Sequence, residues 1–387
     1  MKYNFDEIID RSNTACVKYD LRQFFFGNDR VIPMWVADMD FRTPDFIMEA
    51  IRQRAGHEIL GYSIRPETYF TSLIGWLKRR HNWEIRKEWV AFSPGVVPAL
   101  NMAVLAFSKR RDKIIIQPPV YFPFFDAVKK HGRKLVYNQL VMDNGRYRMD
   151  FESLEQSCRE GAKMLIISNP QNPGGNAWTA GELKTMADIC LKYNVLIVSD
   201  EIHCDLVNRG FKHTVLASLS PEIARKTIAM VAPSKTFNIA GMATASVIIS
   251  NPELMKKYRK VLDALHIELG NVFGNVASEA AYSSGDDWLE QLLDYIDGNI
   301  QTLLEFAENH LPKVKVIRPE ATYMAWLDFS ATGMYDKELK KFMIEKAGLG
   351  LNEGTQFGPG GSGFMRLNLA CPRTTLLQAL EQLKKAF

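Results

Sequence analysis

Between residues 113 and 250, short apolar runs rich in beta-branched residues alternate with helical stretches, and each run stops at small or polar residues. The runs are KIIIQPPVYF (113–122), MLIISNPQNPGG (164–175), VLIVSDEIH (195–203), TIAMVAPSKTF (227–237) and ATASVIIS (243–250), with residues 180–193 reading as one of the intervening helices. Runs this apolar suit strands buried on both faces. Their alternation with helices predicts an α/β fold, a mostly parallel sheet covered by helices on both sides. Such sheets bind ligands beyond the carboxyl ends of their strands. Tyr121, Asn172, Asp200 and Lys235 all fall at such ends.

The flanking sequence completes the outline. In WVAFSPGVVPALNMAVLAF (89–107) a strand runs to Phe92, a Ser-Pro-Gly turn follows, and a helix starts near Val96. That order presents free backbone N–H groups, a ready anion site. Residues 1–45, with FFFGNDRVIPMWVADMDFRTP, read as an aromatic, extended arm broken at Pro33 and Pro44, and PMWVADMD is apolar enough to cross the body of the fold. A helical pattern starts at Asp45 as its cap, and another covers 67–80. A long helical region begins near Pro252. Residues 313–387 read as a smaller α+β unit with strands in VKVIRP, TYMAWLDF and GFMRLNLA and helices over 335–347 and 373–386. With 387 residues, two domains are expected: 46–284 as the larger, and 1–45 joined to 285–387 as the smaller, discontinuous one.

Composition excludes several classes. Hydrophobic residues make up 47% and charged residues 24%, with a net charge of +4 and cations scattered among acids, so no nucleic-acid or membrane stripe stands out. MKYNFDEIIDR lacks the apolar core of a signal peptide. Five cysteines (Cys16, Cys158, Cys190, Cys204, Cys371) form no CxxC pair and are odd in number. Free thiols in a reducing cytoplasm are expected, with Cys204 as a packing residue. No His/Cys cluster has metal-ligand spacing, so no metal is expected.

Lys235, in VAPSKTFNIAGM (231–242), is either a surface lysine in a strand-end loop or a partly desolvated amine usable as nucleophile or base. A strand-end lysine, a strand-end aspartate, an aromatic and a phosphate cradle together match pyridoxal 5′-phosphate. Its aldehyde condenses with a lysine, its ring nitrogen keeps a proton beside a carboxylate, its ring stacks on an aromatic, and its phosphate seeks a helix N-terminus.

Taken in order, PMWVADMDF, GYS, SPGVVPAL, PPVYFPF, NPQNPGG, SDEIHCDL, PSKTFNIAGM and FMRLNLA run through nearly the whole chain. In these motifs the sequence resembles fold-type I pyridoxal-phosphate enzymes of the aminotransferase class I/II group, and within it the cystathionine beta-lyase (MalY/PatB-like C–S lyase) branch. The resemblance implies a large domain with a mostly parallel seven-stranded sheet and a smaller α+β domain. It assigns Lys235 to covalent cofactor attachment and to proton abstraction at the substrate alpha carbon. Asp200 would hold the ring N–H, with a helix cap as its plainer reading. Asn172 would bond the cofactor O3′ unless it only forms a turn, and Tyr121 would stack on the ring unless it is plain core. The backbone of Val96 and Val97, with Ser234, would hold the phosphate. Tyr62 would reach the phosphate of the neighbouring subunit's site, implying a homodimer with shared sites; a core tyrosine is the competing reading. Arg366, on an otherwise apolar strand, would fork the substrate alpha-carboxylate or else serve a buried ion pair. Backbone near Val36 and Ala37 would line the same pocket.

Two departures from the wider aminotransferase pattern stand out. His203 occupies a position where many relatives have tyrosine, and it either contacts the cofactor oxygen or fills space; histidine there is typical of the lyase branch. Met242, Ala243 and Thr244 stand where many aminotransferases place an arginine on the phosphate. The resemblance therefore implies alpha,beta-elimination of cystathionine or related S-substituted cysteines to a thiol, pyruvate and ammonia. Transamination shares the same residues. A cofactor-bearing regulatory or interaction protein is the reading from another class, opposed by the intact Lys235, Asp200 and Arg366.

Overall fold

The computed structural model describes residues 2–387; Met1, first in the expected arm, lies outside the described residues. Among these residues seven strands form the main sheet: β1 (Val90–Ser93), β2 (Lys113–Ile116), β3 (Lys134–Tyr137), β4 (Met164–Ser168), β5 (Leu196–Asp200), β6 (Thr227–Val231) and β7 (Ala245–Ile248). Their spatial order is β1-β7-β6-β5-β4-β2-β3. Strands β2 to β6 pair in parallel, whereas β7 is antiparallel to both β6 and β1. The expected mostly parallel sheet is present, with one reversed strand.

Side chains alternate between two cores, which explains the unbroken apolar runs. Ile114 and Ile116 join Val198 and Met230 on one face, while Ile115 joins Leu165, Ile167 and Ile197 on the other. Full burial of one such side chain contributes roughly 2 kcal/mol. The strands stop sooner than their apolar runs: β2 at Ile116, β4 at Ser168 and β6 at Val231. Pro118, Pro170 and Pro233 follow, and proline has no N–H for the ladder.

Elsewhere the expectations need correcting. Asp45 is the first residue of the helix Asp45–Ala55; Pro44 holds the cap position, and no side chain caps it. The arm is only partly extended, because Val17–Asp20 and Arg22–Phe26 are short helices. Its PMWVADMD segment does cross the body, with Met34 and Met39 buried. The long helical region is three helices, Pro252–Leu265, Val272–Ser284 and Asp286–His310. Between the first two, Gly270 takes a left-handed conformation (φ +68°) and Asn271 caps the second by accepting from the Gly274 N–H.

The smaller sheet contains β8 (Lys315–Ile317), β9 (Met324–Asp328), β10 (Asn352–Glu353) and β11 (Phe364–Asn368), antiparallel in the order β8-β9-β11-β10. Ile32–Pro33 of the arm pairs in parallel with Leu349–Gly350. Arm, long helices and smaller sheet share a core that includes Met34, Leu292 and Leu367.

Candidate active site

The carboxyl ends of β4, β5 and β6 open into one cleft, lined by Tyr121, Asn172, Asp200, His203, Ser234 and Lys235 among others, with Ala37 of the arm on its wall. With Val96 and Val97, nine of the residues singled out from sequence thus meet in one place, although the chain separates them by more than a hundred positions.

Asp200 is the last residue of β5 and is buried. Its Oδ1 accepts the Ile202 N–H at 3.1 Å. Burial pushes its pKa up to about 7; Glu201 adds to the rise, while the Ile202 N–H and Lys235 oppose it. A carboxylate so deprived of water favours a cationic partner. In cofactor-free protein this has a measurable sign. The folded chain keeps a proton on Asp200 that the unfolded chain releases from about pH 4 upward, so this group's contribution to stability falls as pH rises to about 7. Asp200→Asn is therefore expected to gain stability relative to wild type across that window, by at most about 4 kcal/mol. Thermal unfolding of both proteins at pH 5 and pH 7.5 checks this; a pH-independent difference contradicts it.

Lys235 sits on the one-turn helix Pro233–Thr236 that follows β6. Its Nζ donates to the Ala37 carbonyl at 2.5 Å. Burial pulls its pKa down to about 8; Asp38 and Asp200 resist and Arg366 assists. A fraction of the amine is therefore neutral near neutral pH. The turn is pinned from below, where the Thr236 hydroxyl donates to buried Asp205 at 2.8 Å. Asp205 also accepts from the Trp76 indole at 3.0 Å and bonds the His81 ring at 2.7 Å. His81, Cys204 and Asp205 lie close enough to ligate one ion, a grouping invisible in sequence spacing. Both Asp205 oxygens already serve these hydrogen bonds.

Arg366 projects from β11 and is buried. Its Nη1 donates to Asn172 Oδ1 at 3.0 Å, and Nη2 to the Trp35 carbonyl at 2.9 Å and Asn352 Oδ1 at 2.7 Å. Every one of these acceptors is neutral, so the structural ion pair considered from sequence is not made. Burial lowers the guanidinium pKa to about 10, and Nε has no hydrogen-bond partner. A buried, unpaired guanidinium is a built anion receptor.

His203 is buried with Nδ1 unpartnered, its ring edge-on to Tyr323. Burial first, then Lys235 and Arg366, depress its pKa to about 3, so the ring is neutral. Tyr121 lines the cleft half-buried, and burial raises its hydroxyl pKa against the pull of Arg366. The helix Val96–Phe107 points its N-terminus into the cleft with Gly95 at the cap and no side-chain cap bond. The N–H groups of Val96 and Val97 therefore have no intrahelical acceptor, and Ser234 lies beside them on the wall. Where an arginine was missing from the sequence pattern, Thr244 pairs its hydroxyl with Ser278 at 3.2 Å.

Three sequence candidates lie outside the lining of this cleft; Arg366 stands behind it, bonded to Asn172 of the wall. Tyr62 is fully exposed and lines no part of it in its own chain. Val36 is also absent from the lining; its carbonyl accepts from Asn368 Nδ2 at 2.7 Å. Sequence reasoning missed the Trp35 carbonyl, Asn352 and Tyr323. Tyr323 donates its hydroxyl to the Ala37 carbonyl at 3.1 Å, the same oxygen that receives Lys235. No local signal marks these contacts, since Trp35 and Arg366 are 331 positions apart.

Known proteins are similar to this chain in sequence and fold. The model of the family described as aminotransferase class I and II matches residues 29–383. Cystathionine beta-lyase PatB of Bacillus subtilis is 44% identical over 386 residues, 99% of each chain. Among solved structures, cystalysin of Treponema denticola, which contains a pyridoxal 5′-phosphate cofactor, superposes with a TM-score of 0.97 at 39% identity over 100% of this chain and 99% of that one. The pyridoxal-phosphate-bound C–S lyase of Staphylococcus hominis gives 0.94 at 35% identity over 100% and 98%. With a matching family model, a full-length relative, and a cleft that assembles the lysine and aspartate with the arginine bonded to Asn172 on its wall, the chain belongs to the aminotransferase class I and II family.

Proposed function

We propose that this protein is a pyridoxal-phosphate-dependent C–S beta-lyase that cleaves cystathionine or related S-substituted cysteines to a thiol, pyruvate and ammonia. The observation that carries the reading is the meeting of Lys235 and Asp200 in one cleft, with unpaired Arg366 bonded to Asn172 on its wall, in a chain alike over its full length to a cystathionine beta-lyase.

The residues present fit the cofactor. Asp200 is a buried carboxylate suited to a protonated ring nitrogen, His203 offers a buried unpartnered ring nitrogen, and the uncapped N-terminus at Val96 and Val97 suits a phosphate. Asn172, Tyr121, Ser234 and Lys235 would complete the hold. When bound, pyridoxal 5′-phosphate supplies the electron sink for the pair left on the substrate's alpha carbon. Arg366 takes the alpha-carboxylate and so fixes which bond at the alpha carbon faces Lys235. Lys235, with its pKa lowered to about 8, removes the alpha proton as a neutral amine. Asp200 keeps the ring nitrogen protonated while that charge develops. The thiolate leaves from the beta carbon, and water converts the remaining enamine to pyruvate and ammonia.

An aminotransferase would use the same lysine, aspartate and arginine, and membership of this family keeps that second reading in view. The two differ in co-substrate: a transaminase requires a 2-oxo acid. Pyruvate release from L-cystathionine without any added 2-oxo acid supports the lyase.

The finer assignments belong to the same reading. We take 46–284 as the cofactor-binding domain, with 1–45 and 285–387 as the smaller one, supported by the pairing of Ile32–Pro33 of the arm with Leu349–Gly350. The protein acts in the cytoplasm as a homodimer. All five cysteines are free thiols, and among the described residues no helix is long and apolar enough to cross a membrane. Tyr62 is exposed together with Ile59, Leu60 and Ile64, as expected of a segment that completes a second subunit's site. Tyr62→Ala and Lys235→Ala proteins, each inactive alone, should on mixing and reassembly recover roughly a quarter of wild-type activity, because half the dimers carry one intact site. No recovery despite subunit exchange contradicts shared sites.

A further inference from the structure

The arm holds a charged cluster that the chemistry above does not use. Lys18 is 1% exposed, and its Nζ donates to Asp40 Oδ2 at 2.7 Å. Arg11 donates to the other Asp40 oxygen at 2.7 Å, to Asp38 at 2.7 Å and 3.1 Å, and to the Met39 carbonyl at 3.1 Å. The Lys18 backbone carbonyl meanwhile accepts the Trp35 indole N–H at 3.1 Å. One residue therefore grips both ends of the 35–40 loop, Trp35 through its main chain and Asp40 through its side chain.

Between those two grips the loop turns carbonyls toward the cleft. The Trp35 carbonyl holds Arg366, and the Ala37 carbonyl holds Lys235 and Tyr323. Asn368 supports the loop from β11 by donating to the Val36 and Asp38 carbonyls, and Asn238 grips Met39 and Phe41. Burying an ammonium is costly, and an apolar filling of similar volume is often as stable. A hydrophobic plug would fill the space under the loop without dictating where two of its carbonyls point.

We propose that Lys18, clamping Trp35 and Asp40, is a positioning residue for recognition of the substrate's alpha-carboxylate. The clamp holds the Trp35 carbonyl where it keeps the Arg366 guanidinium facing the cleft, and misplacing such a group by about 1 Å can cost up to about a hundredfold. This rests on the reading of Arg366 as the carboxylate fork.

The test compares binding of L-alanine, which carries the carboxylate and has no leaving group, with ethylamine, which lacks the carboxylate. Both are followed in the holoenzyme through the cofactor's visible absorption. Lys18→Met combined with Asp40→Asn removes both charges and strands neither. This double variant should weaken L-alanine by on the order of tenfold, leave ethylamine within about twofold, and hold kcat for elimination at saturation within about threefold. Arg366→Gln should erase the preference for the carboxylate altogether. Wild-type preference in the double variant, with the preference lost in Arg366→Gln, makes the clamp purely structural and overturns the proposal. Preference retained in Arg366→Gln overturns the fork reading, and the proposal with it. Should the double variant not fold, Trp35→Phe decides: it removes the indole bond to Lys18 while keeping an aromatic ring against Phe25 and Phe26, and an unchanged preference overturns the clamp.

Discussion

Lys235→Ala protein loses elimination activity by at least about 10³-fold while its fold is retained. Among the described residues the lysine is the one amine lining the cleft, and burial brings its pKa to about 8, where a neutral base is available near neutral pH. Removing a positioned general base typically costs about 10² to 10⁴ in rate, and loss of the covalent hold on the cofactor adds to that. Lys235→Arg should not rescue activity, because a guanidinium stays protonated and cannot take the alpha proton. The alanine variant gives up a half-buried amine whose hydrogen bond is to the Ala37 carbonyl, so its unfolding temperature should stay within a few degrees of wild type. Steady-state pyruvate release and thermal unfolding measured on the same preparation check both halves. Activity within tenfold of wild type would falsify the assignment.

The second large effect is at Asp200. Asparagine keeps the shape and an oxygen for the Ile202 N–H, which now reaches Oδ1 at 3.1 Å, but carries no charge. On the proposed reading this carboxylate is what keeps the cofactor's ring nitrogen protonated, so kcat should fall on the order of 10⁴-fold, the scale seen when a buried orienting aspartate becomes an amide. Cofactor affinity should fall with it. The same substitution is expected to stabilise cofactor-free protein as pH rises toward 7, because burial, with Glu201 adding to it, holds the Asp200 proton there. Lower activity and higher cofactor-free stability in one variant mark a group kept for chemistry rather than for folding. A kcat loss below tenfold, measured at saturating cofactor, contradicts the role.

The main sheet and the centre of the cleft are legible in the sequence because two-sided burial writes itself as apolar runs. Ile114, Ile115 and Ile116 face two cores in turn, so none of the three can be polar. Where a strand is only half covered the signal fades: β3, Lys134–Tyr137, lies at the sheet edge with no fully buried residue, and its short KLVY run shows no alternation to read. Asp200 and Lys235 are legible because strand ends punctuate the runs. Arg366 is legible as one cation in an apolar strand, yet its acceptors are not, since the Trp35 carbonyl and Asn352 are brought to it by tertiary packing. Lys18 looks like any surface lysine in the sequence, and only the closed arm shows it buried against Asp40. The one-turn helix under Lys235 is equally hidden, because the Thr236 to Asp205 bond that anchors it joins two segments 31 residues apart.

The most direct measurement is product analysis with purified, cofactor-loaded protein and L-cystathionine, with no 2-oxo acid present. Elimination predicts free thiol, pyruvate and ammonia in equal amounts over many turnovers, abolished by Lys235→Ala. No turnover until a 2-oxo acid is added, followed by exchange of the amino group, would contradict the lyase and make this chain an aminotransferase.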